Sequence, residues 1–422
     1  MIKPIFQRLS NHLPVLSVPM PGTETGTVLV LVRTGSRLET QEQSGLSHFL
    51  EHMMFKGTTK RPTAQELSRI LDGVGAEYNA YTTKEYTGYY VKAAAQHVPL
   101  ALEVVSDMLW HSKLDTEEME REKKVIVEEI NMYEDNPLIH IGDVLENALF
   151  RGSGLGQLIS GTRKSVMALQ SKQLVDFWHN YYHPKNMLVV VSGKITPATN
   201  LLVKKLFGEK RAAGKLGSFK PFVPNYKRPQ VALHYKDTEQ VQFALAFPSY
   251  GWKNAKLPVL ELLATILGGN MSSRLFVRLR EKEGLCYSVR ATIDCYQGTG
   301  LFAVQAGLDR SRLAQATRLV REELQKVVDE PVDQDELSRA KEYSKGRLTL
   351  MLEDSASQAE WAGKRWFLEN TSETPQEHLQ RISQVSASQL QKVAREILVR
   401  KKATLALIGP FKDAKPWQKL LT

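Results

Sequence analysis

The sequence predicts an α+β protein whose two halves are related by duplication. Strand-like stretches precede runs of amphipathic helix, which favours α+β over a doubly wound α/β sheet. Residues 168–193 and 384–409 each contain a helix-like stretch and end in an apolar run, with Gly193 and Gly409 last. One offset of 216 residues aligns these segments without a gap, including a Gln-Leu pair inside each helical stretch. A period this long indicates duplicated domains, although a chance match between unrelated domains is the alternative.

The duplication sets the predicted domain limits. We expect a first domain at 1–210, a linker at 211–230 and a second, homologous domain at 231–422. The linker is predicted from turn-forming residues with basic residues among them, a composition typical of connecting segments. These turn-forming residues are Gly214, Gly217, Pro221, Pro224 and Pro229.

The elements of the first half follow from apolar patterning and helix starts. The apolar runs 27–32 and 187–191 have the length of strands. Thr63 and Asp115 are each followed three residues later by a glutamate, the pattern of a helix N-terminus. Between those starts we predict strands at 77–82 and 86–93, and helices then at about 98–111 and 115–133.

The second half begins in the same way as the first. A strand-like run at 241–247 is followed by a helical stretch at 257–267 that contains no histidine. This helical stretch therefore offers no histidine that could bind a metal ion, and we expect no metal site in the second half.

Composition excludes several classes of protein. The chain has 422 residues, of which 42% are apolar and 24% charged, so it is neither a disordered chain nor a small disulfide scaffold. Lys and Arg exceed Asp and Glu by 10. The densest basic stretches, 204–220 and 401–419, do not interleave aromatic residues in the pattern of a nucleic-acid-binding surface, so we interpret them as solvated surface and expect no nucleic-acid partner.

The cellular setting is predicted from what the sequence lacks. Cys286 and Cys295 are too few for a disulfide framework. Residues 1–21 show no continuous apolar segment of the kind found in signal peptides, and no run approaches the roughly 20 residues that span a bilayer. We therefore expect a cytoplasmic protein without a membrane partner.

A possible metal site lies in 44–55. His48 and His52 are four residues apart on a predicted buried helix, so both imidazoles project from one face. Imidazole is a good zinc ligand, and Glu51 on the same side could hold water rather than the metal. The alternative is a pair of core histidines beside a surface glutamate.

A third ligand is expected from another element, because a catalytic zinc usually takes three protein ligands and one water. The acidic stretch 117–129 offers Glu122, Glu128 and Glu129. Glu122 and Glu129 are seven residues apart, two helical turns, and therefore lie on nearly one face. Spacing alone does not choose among the three.

The order His48-x-x-Glu51-His52 resembles the signature of the inverzincin metallopeptidases, the pitrilysin-like family that includes insulin-degrading enzyme and the mitochondrial processing peptidases. In that family the third ligand is a glutamate about 76 residues beyond the second histidine, and here 76 residues, 53–128, precede Glu129. The resemblance implies one Zn²⁺ per chain held by both histidines and Glu129. It also implies Glu122 as a supporting acidic residue and Glu51 as the general base acting on zinc-bound water.

The same resemblance implies where substrate binds. Asn79, Ala80 and Tyr81 match the family's substrate-binding edge strand, which adds an extended peptide through backbone hydrogen bonds. Phe55 is similar to a residue beside the scissile bond in the family. The alternatives are an ordinary hairpin with Asn79 in a turn, and plain core packing for Phe55.

In the second half, Arg280 and Tyr287 match the family's Arg/Tyr pair, which stabilises the oxyanion from the other half of a closed chamber. The alternatives are one cation among several for Arg280 and a strand aromatic for Tyr287.

The resemblance implies antiparallel-rich sheets covered by helices in sandwich-like halves. It further implies a zinc-dependent endopeptidase that hydrolyses unfolded peptides or short polypeptides in a chamber closed by two chains. A homodimer is favoured because the zinc motif and the Arg/Tyr pair are both present, and a heterodimer with a divergent homologue is the alternative. Two other functions stay open: a non-catalytic, peptide-holding homologue and a metal-dependent hydrolase of non-peptide substrates.

Overall fold

The computed structural model describes residues 3–209 and 214–421, and in it the chain forms two compact units. The fold is mixed, since each unit combines a β-sheet with helices. Neither unit is contiguous in sequence. The first consists of the described residues of Met1–Asn131, Gln157–Phe219 and Thr349–Thr374, and the second of those of Met132–Gly156, Lys220–Leu348 and Pro375–Thr422.

The strands that the sequence predicted are present in the structure. The predicted strand at 77–82 is confirmed, and the one at 86–93 is confirmed with a shift of one residue at each end. In chain order the strands are β1 (Ile5–Arg8), β2 (Pro14–Pro19), β3 (Thr25–Val32), β4 (Glu77–Thr82), β5 (Thr87–Ala94), β6 (Met187–Gly193), β7 (Gln230–Tyr235), β8 (Gln240–Ser249), β9 (Cys286–Tyr296), β10 (Thr299–Asp309) and β11 (Thr404–Gly409).

Both predicted helix starts are confirmed. The Thr63 hydroxyl accepts the N–H of Glu66, and Asp115 accepts the N–H groups of Glu117 and Glu118. In chain order the helices are α1 (Leu46–Met53), α2 (Ala64–Asp72), α3 (Val98–His111), α4 (Thr116–Asp135), α5 (Pro137–Leu149), α6 (Arg163–Ala168), α7 (Ser171–Tyr181), α8 (Pro197–Phe207), α9 (Leu257–Gly268), α10 (Leu313–Asp329), α11 (Gln334–Met351), α12 (Ser355–Lys364), α13 (Pro375–Ser383), α14 (Ala387–Ile397) and α15 (Lys415–Leu421). Across the described ranges, no helix has both the length and the apolar character needed to cross a membrane.

The sheet of the first unit has the order β1-β2-β6-β3-β5-β4. β2 and β6 are parallel, and the other neighbouring pairs are antiparallel. β3 and β6 are almost wholly buried because helices cover both faces, whereas β4 lies at an edge. One face packs against α1 and α3, and α12 covers β3 and β6, with Ser355 bonded to Thr27.

The sheet of the second unit has the order β7-β11-β8-β10-β9, with β7 and β11 parallel. If β7 to β11 are matched one by one, in chain order, to β2 to β6, the order of the second sheet is the same as the order β2-β6-β3-β5-β4 in the first sheet. α9 is apolar on nearly every side and lies in the core of this unit. α5 covers the other face, where Ile141 and Leu145 join a cluster with Ala244 and Ala406.

Each sheet is therefore completed by a helix from the other predicted domain range. α12, from the predicted range 231–422, packs on the sheet of the first unit, and α5, from 1–210, packs on that of the second. The predicted limit between 210 and 211 lies outside the described residues. The predicted linker range contains the change from one unit to the other at Phe219 and Lys220.

Candidate metal centre

The helix α1 is short and its start is fixed by contacts to distant residues. Gly45 precedes it with φ of 95°, and a Cβ at that position would lie 2.7 Å from the carbonyl oxygen of Ser160. The buried carboxylate of Glu39 accepts the N–H of Gly45 at 2.7 Å and that of Ser47 at 2.6 Å. A carboxylate at this position satisfies two unpaired amides and complements the helix dipole, so the two turns of α1 begin at a defined place.

Burial raises the pKa of Glu39 to about 7, because desolvation of the charged form outweighs the two backbone hydrogen bonds that favour it. Glu39 was not among the residues predicted from the sequence. Its partners lie six and eight residues along the chain, a spacing that carries no recognised helix-capping signal.

His48 and His52 lie side by side on α1, with ring centroids 4.6 Å apart. Glu129, on α4, faces both rings: its Oε1 lies 3.6 Å from Nε2 of His48, and its Oε2 lies 3.3 Å from Nε2 of His52. One ligand atom from each of the three residues lies within 4.8 Å of the others. In the part of the chain that the structure describes, no other cluster of His, Cys, Asp and Glu meets this criterion.

This set of atoms fits a zinc ion. Two ligand atoms about 2.0–2.1 Å from a tetrahedral zinc lie roughly 3.3 Å from each other, close to the separations between Glu129 and the two imidazoles. Two imidazole nitrogens and one carboxylate are also a ligand set found in catalytic zinc sites. The geometry separates the three predicted candidates, since Glu128 is instead bonded to Asn131 at 3.3 Å.

Glu122 contacts the site from behind His52. Its Oε1 lies 2.8 Å from Nδ1 of His52, and its Oε2 lies 2.5 Å from Nζ of Lys56. Burial alone would raise the pKa of Glu122, but the bonds from His52 and Lys56 more than offset this and lower it. An ionised Glu122 accepts the Nδ1–H of His52, which leaves Nε2 directed at Glu129. Lys56 was not predicted as part of the site.

The two carboxylates make the site attractive to a cation. Burial alone would lower the pKa of His52, but the bonds to Glu122 and Glu129 outweigh it and raise the pKa to about 9. Burial has the opposite effect on Glu129, whose pKa it would raise. The hydrogen bonds from His48 and His52 outweigh burial and lower the pKa of Glu129. A proton on His52 therefore competes with a metal ion, since a ligating imidazole must be neutral.

Glu51 lies on the side of α1 that faces β4. Its Oε2 accepts a hydrogen bond from the hydroxyl of Thr82 at 2.6 Å, and the residue is 9% exposed. Burial raises the pKa of Glu51, and the bond from Thr82 offsets part of the effect. A raised pKa suits a carboxylate that must accept a proton near neutral pH. Thr82 was not predicted to act here, because nothing in a spacing of 31 residues links it to Glu51.

The predicted substrate-binding residues lie on β4, the last strand of its sheet within the described residues. Ala80 packs its methyl into the core, and its N–H is accepted by Oδ1 of Asn79 at 2.8 Å. Tyr81 lies over Gly88 of β5 and bonds to Glu360 of α12. The strand is therefore packed at Ala80 and Tyr81, whereas Glu77 and Asn79 are exposed, and no neighbouring strand among the described residues pairs with its outer edge.

The remaining predicted residues divide between the units. Phe55 is partly buried and packs against the core of the first unit. In the second unit the Arg280 guanidinium carbon lies 4.8 Å from the ring centroid of Phe276 and 5.1 Å from that of Tyr287, whose side chain is 82% exposed. The predicted Arg/Tyr pair is therefore in contact, although its role toward the metal centre stays a prediction.

Two family profiles match the chain. The insulinase profile, peptidase family M16, matches residues 14–163, which include the histidines, Glu51, β4 and Glu129. The profile of the peptidase M16 inactive domain matches residues 168–343, which include Arg280 and Tyr287.

Relatives match along nearly the whole chain. The uncharacterized zinc protease YmxG of Bacillus subtilis is 35% identical over 400 residues, which cover 95% of this chain and 97% of that protein. An uncharacterized zinc protease of Streptomyces coelicolor is 34% identical over 411 residues, covering 96% of this chain and 89% of that protein.

Solved structures show the same fold. A protease from Helicobacter pylori superposes with a TM-score of 0.88 at 24% identity, covering 97% of this chain and 99% of its own. A peptidase M16 inactive domain from Pseudomonas fluorescens gives 0.88 at 17% identity, with the same coverage of each chain. A chain of complex III2 from Candida albicans gives 0.83 at 16% identity and covers 99% of both chains.

Proposed function

Because the chain belongs to the insulinase family of peptidases, M16, we propose that it is a zinc-dependent endopeptidase acting on unfolded peptides or short polypeptides. One observation carries the proposal: His48, His52 and Glu129 converge within 4.8 Å, with Glu51 beside them on α1. These residues provide metal ligands and a separate carboxylate, the two components that metal-assisted hydrolysis requires.

His48, His52 and Glu129 would hold the ion, and Glu122 would keep the His52 imidazole in the tautomer whose Nε2 is free to ligate. When bound, zinc lowers the pKa of a water molecule toward about 7 and polarises the scissile carbonyl. Glu51 accepts a proton from the attacking water on its carboxylate and passes it to the leaving amine nitrogen. The low exposure of Glu51 excludes competing solvent and keeps its affinity for a proton high.

Substrate is proposed to add to β4 as a further antiparallel strand. Peptide backbone would bond to the outer edge beside Asn79, Ala80 and Tyr81, which makes few demands on side chains. Unfolded peptides have extended backbone with free hydrogen-bonding groups, whereas in folded proteins most of these groups are already paired. Pairing with β4 would therefore favour unfolded peptides as substrates. Phe55 is assigned to a side-chain pocket next to the cleaved bond, a role that its partial burial permits.

Arg280 and Tyr287 are proposed to stabilise the oxyanion from a partner chain, so that two copies close one chamber with two active sites. The match of the inactive-domain profile to 168–343 supports a second half without its own metal. The recurrence of strand order in the two sheets supports an origin of the halves by duplication. The single cluster of candidate ligands among the described residues supports one zinc per chain.

Metal analysis combined with a cleavage assay tests the proposal. Purified protein should contain about one zinc per chain and cleave a quenched fluorescent peptide, with activity lost to a chelator and restored by added Zn²⁺. Zinc binding without cleavage of any peptide in a diverse library would favour the peptide-holding alternative. Hydrolysis of esters or other small substrates alone would favour a non-peptide hydrolase, and protein that binds no zinc would overturn the proposal.

A further inference from the structure

Thr82 joins the proposed base to the strand that is proposed to bind substrate. It is the last residue of β4, and its hydroxyl donates to Oε2 of Glu51 at 2.6 Å. The contact connects a strand edge to the middle of α1 across 31 residues of sequence. Among the described residues, no other protein group donates a hydrogen bond to the Glu51 carboxylate.

The bond matters because Glu51 has a flexible side chain. A glutamate has three rotatable side-chain bonds, and general base catalysis requires its carboxylate within hydrogen-bond reach of the water. With Oε2 held by Thr82, the orientation of the carboxylate is set and Oε1 remains available for a proton.

The backbone of Thr82 faces the free edge of the sheet. Thr83 donates its N–H to the carbonyl of Tyr86 at 2.9 Å, so those two residues form a hydrogen-bonded pair of the hairpin. In an antiparallel ladder such pairs alternate with pairs whose backbone groups point outward. The next pair, Thr82 and Thr87, is therefore of the outward kind, and the backbone of Thr82 is presented to an added strand.

We propose that Thr82 is a positioning residue for Glu51, whose hydroxyl orients the carboxylate while its own backbone pairs with bound peptide. The inference rests on the proposed peptidase function and adds to it a direct connection between substrate pairing and the base. Binding of a peptide along β4 would restrain Thr82 and, through it, the carboxylate that takes the proton.

Three variants test the kinetic consequence. Thr82→Val keeps the shape and removes the hydroxyl, so kcat should fall roughly 10- to 100-fold while KM and zinc content stay near wild type. Thr82→Ser restores the hydroxyl and should recover most of the lost kcat. The matched control is Thr87→Val, which removes a hydroxyl from the paired residue, where it bonds to the Thr34 carbonyl and not to Glu51. Its kcat should stay near wild type.

A crystal structure supplies a readout that does not depend on activity. The wild-type protein should show the Glu51 carboxylate bonded to the Thr82 hydroxyl, and Thr82→Val should show that carboxylate displaced or in several rotamers. The inference is overturned if the bond is absent in wild type, if Thr82→Val keeps kcat within about threefold, or if Thr82→Ser is as impaired as the valine variant. Failure of the wild-type protein to cleave peptides would instead reject the proposed function.

Discussion

At the residue scale, Glu51 combines three properties that a general base needs. It is nearly buried, its pKa is raised by that burial, and its orientation is set by Thr82. Its position between His48 and His52 on α1 places it beside the proposed metal centre but outside the cluster of candidate ligands. Under the proposed function, the same helix supplies two metal ligands and the residue that transfers the proton.

Replacing Glu51 with Gln should separate these two roles. The amide retains nearly the size and hydrogen-bonding reach of the carboxylate but accepts no proton at neutral pH. We expect zinc content to stay at the wild-type value while kcat falls by about 10²- to 10⁴-fold, the usual contribution of a general base. Metal analysis and steady-state kinetics check this, and a Glu51→Gln protein with full activity would remove the base assignment.

Glu39 predicts a pH dependence of stability. Its pKa is about 7 in the folded protein, above the value near 4.3 of an unfolded glutamate, so the folded state binds the proton more tightly. The stabilisation from this group is therefore complete below about pH 4 and is lost as pH rises toward and through 7. From pH 5 to 8 the loss is on the order of 2–3 kcal/mol in the free energy of unfolding.

Urea unfolding of wild type and Glu39→Gln at several pH values isolates this effect, because the other titrating groups are common to both proteins. The stability difference, wild type minus variant, should decrease as pH rises. A difference that is constant from pH 5 to 8 would contradict the burial-raised pKa of Glu39.

At the scale of elements, the site depends on the helical phase of α4. Glu122 and Glu129 face α1, whereas Glu128, one residue before Glu129, bonds to Asn131 along its own helix. Two helical turns separate the two inward carboxylates, so in the proposed site Glu129 is a metal ligand while Glu122 orients His52.

Glu122→Gln should therefore weaken zinc binding roughly 10- to 100-fold, since the amide no longer keeps His52 in the ligating tautomer as a carboxylate does. Glu128→Gln is the matched control on the same helix and should leave the dissociation constant unchanged. Competition with a zinc-binding dye measures both. Equal affinities for the two variants would show that Glu122 has no orienting role.

The parts of the site that depend on short spacings were predictable from the sequence. The four-residue separation of His48 and His52 and the apolar pattern around them were enough to predict a helix with both imidazoles on one face. The strand β4 was likewise predicted, as one of two strands joined by a short turn. Assigning Glu129 rather than Glu128 as the third metal ligand required the resemblance to the inverzincin family. Residue spacing alone does not determine which side of a helix packs against the rest of the protein.

Other parts of the site depend on contacts between residues distant in sequence. Glu39 and Thr82 act through partners on α1, and Lys56 acts through Glu122 on α4. No local pattern encodes such pairs, so they become visible with the fold. The packing of α5 and α12 on sheets from the other predicted domain range was not predictable for the same reason. An apolar helix face shows that a helix packs against something, but not which sheet it packs against.

At the scale of the whole molecule, five strands of the first sheet follow the same order as the five strands of the second. Among the described residues, the cluster of candidate metal ligands lies in the first unit and the Arg280–Tyr287 pair in the second. If two chains form one chamber, each active site draws its zinc from one chain and its Arg/Tyr pair from the other. Such an arrangement makes a specific prediction about mixed dimers.

Two inactive variants should therefore complement each other. A Glu51→Gln chain and a chain with both Arg280→Ala and Tyr287→Phe, co-expressed with different tags, should form mixed dimers that contain one intact site. Equal random mixing should yield about a quarter of wild-type activity. Activity no greater than the mean of the separately purified variants, or a monomer mass in solution at all concentrations, would contradict the shared chamber.

The convergence of α1 and α4 on one zinc ion underlies all of these predictions, and anomalous diffraction at the zinc edge tests it most directly. Crystals grown with Zn²⁺ should show one strong peak per chain, about 2.0–2.1 Å from Nε2 of both His48 and His52 and bonded to the Glu129 carboxylate. A peak at a different set of residues, or zinc-soaked crystals with no peak between these three side chains, would contradict the account.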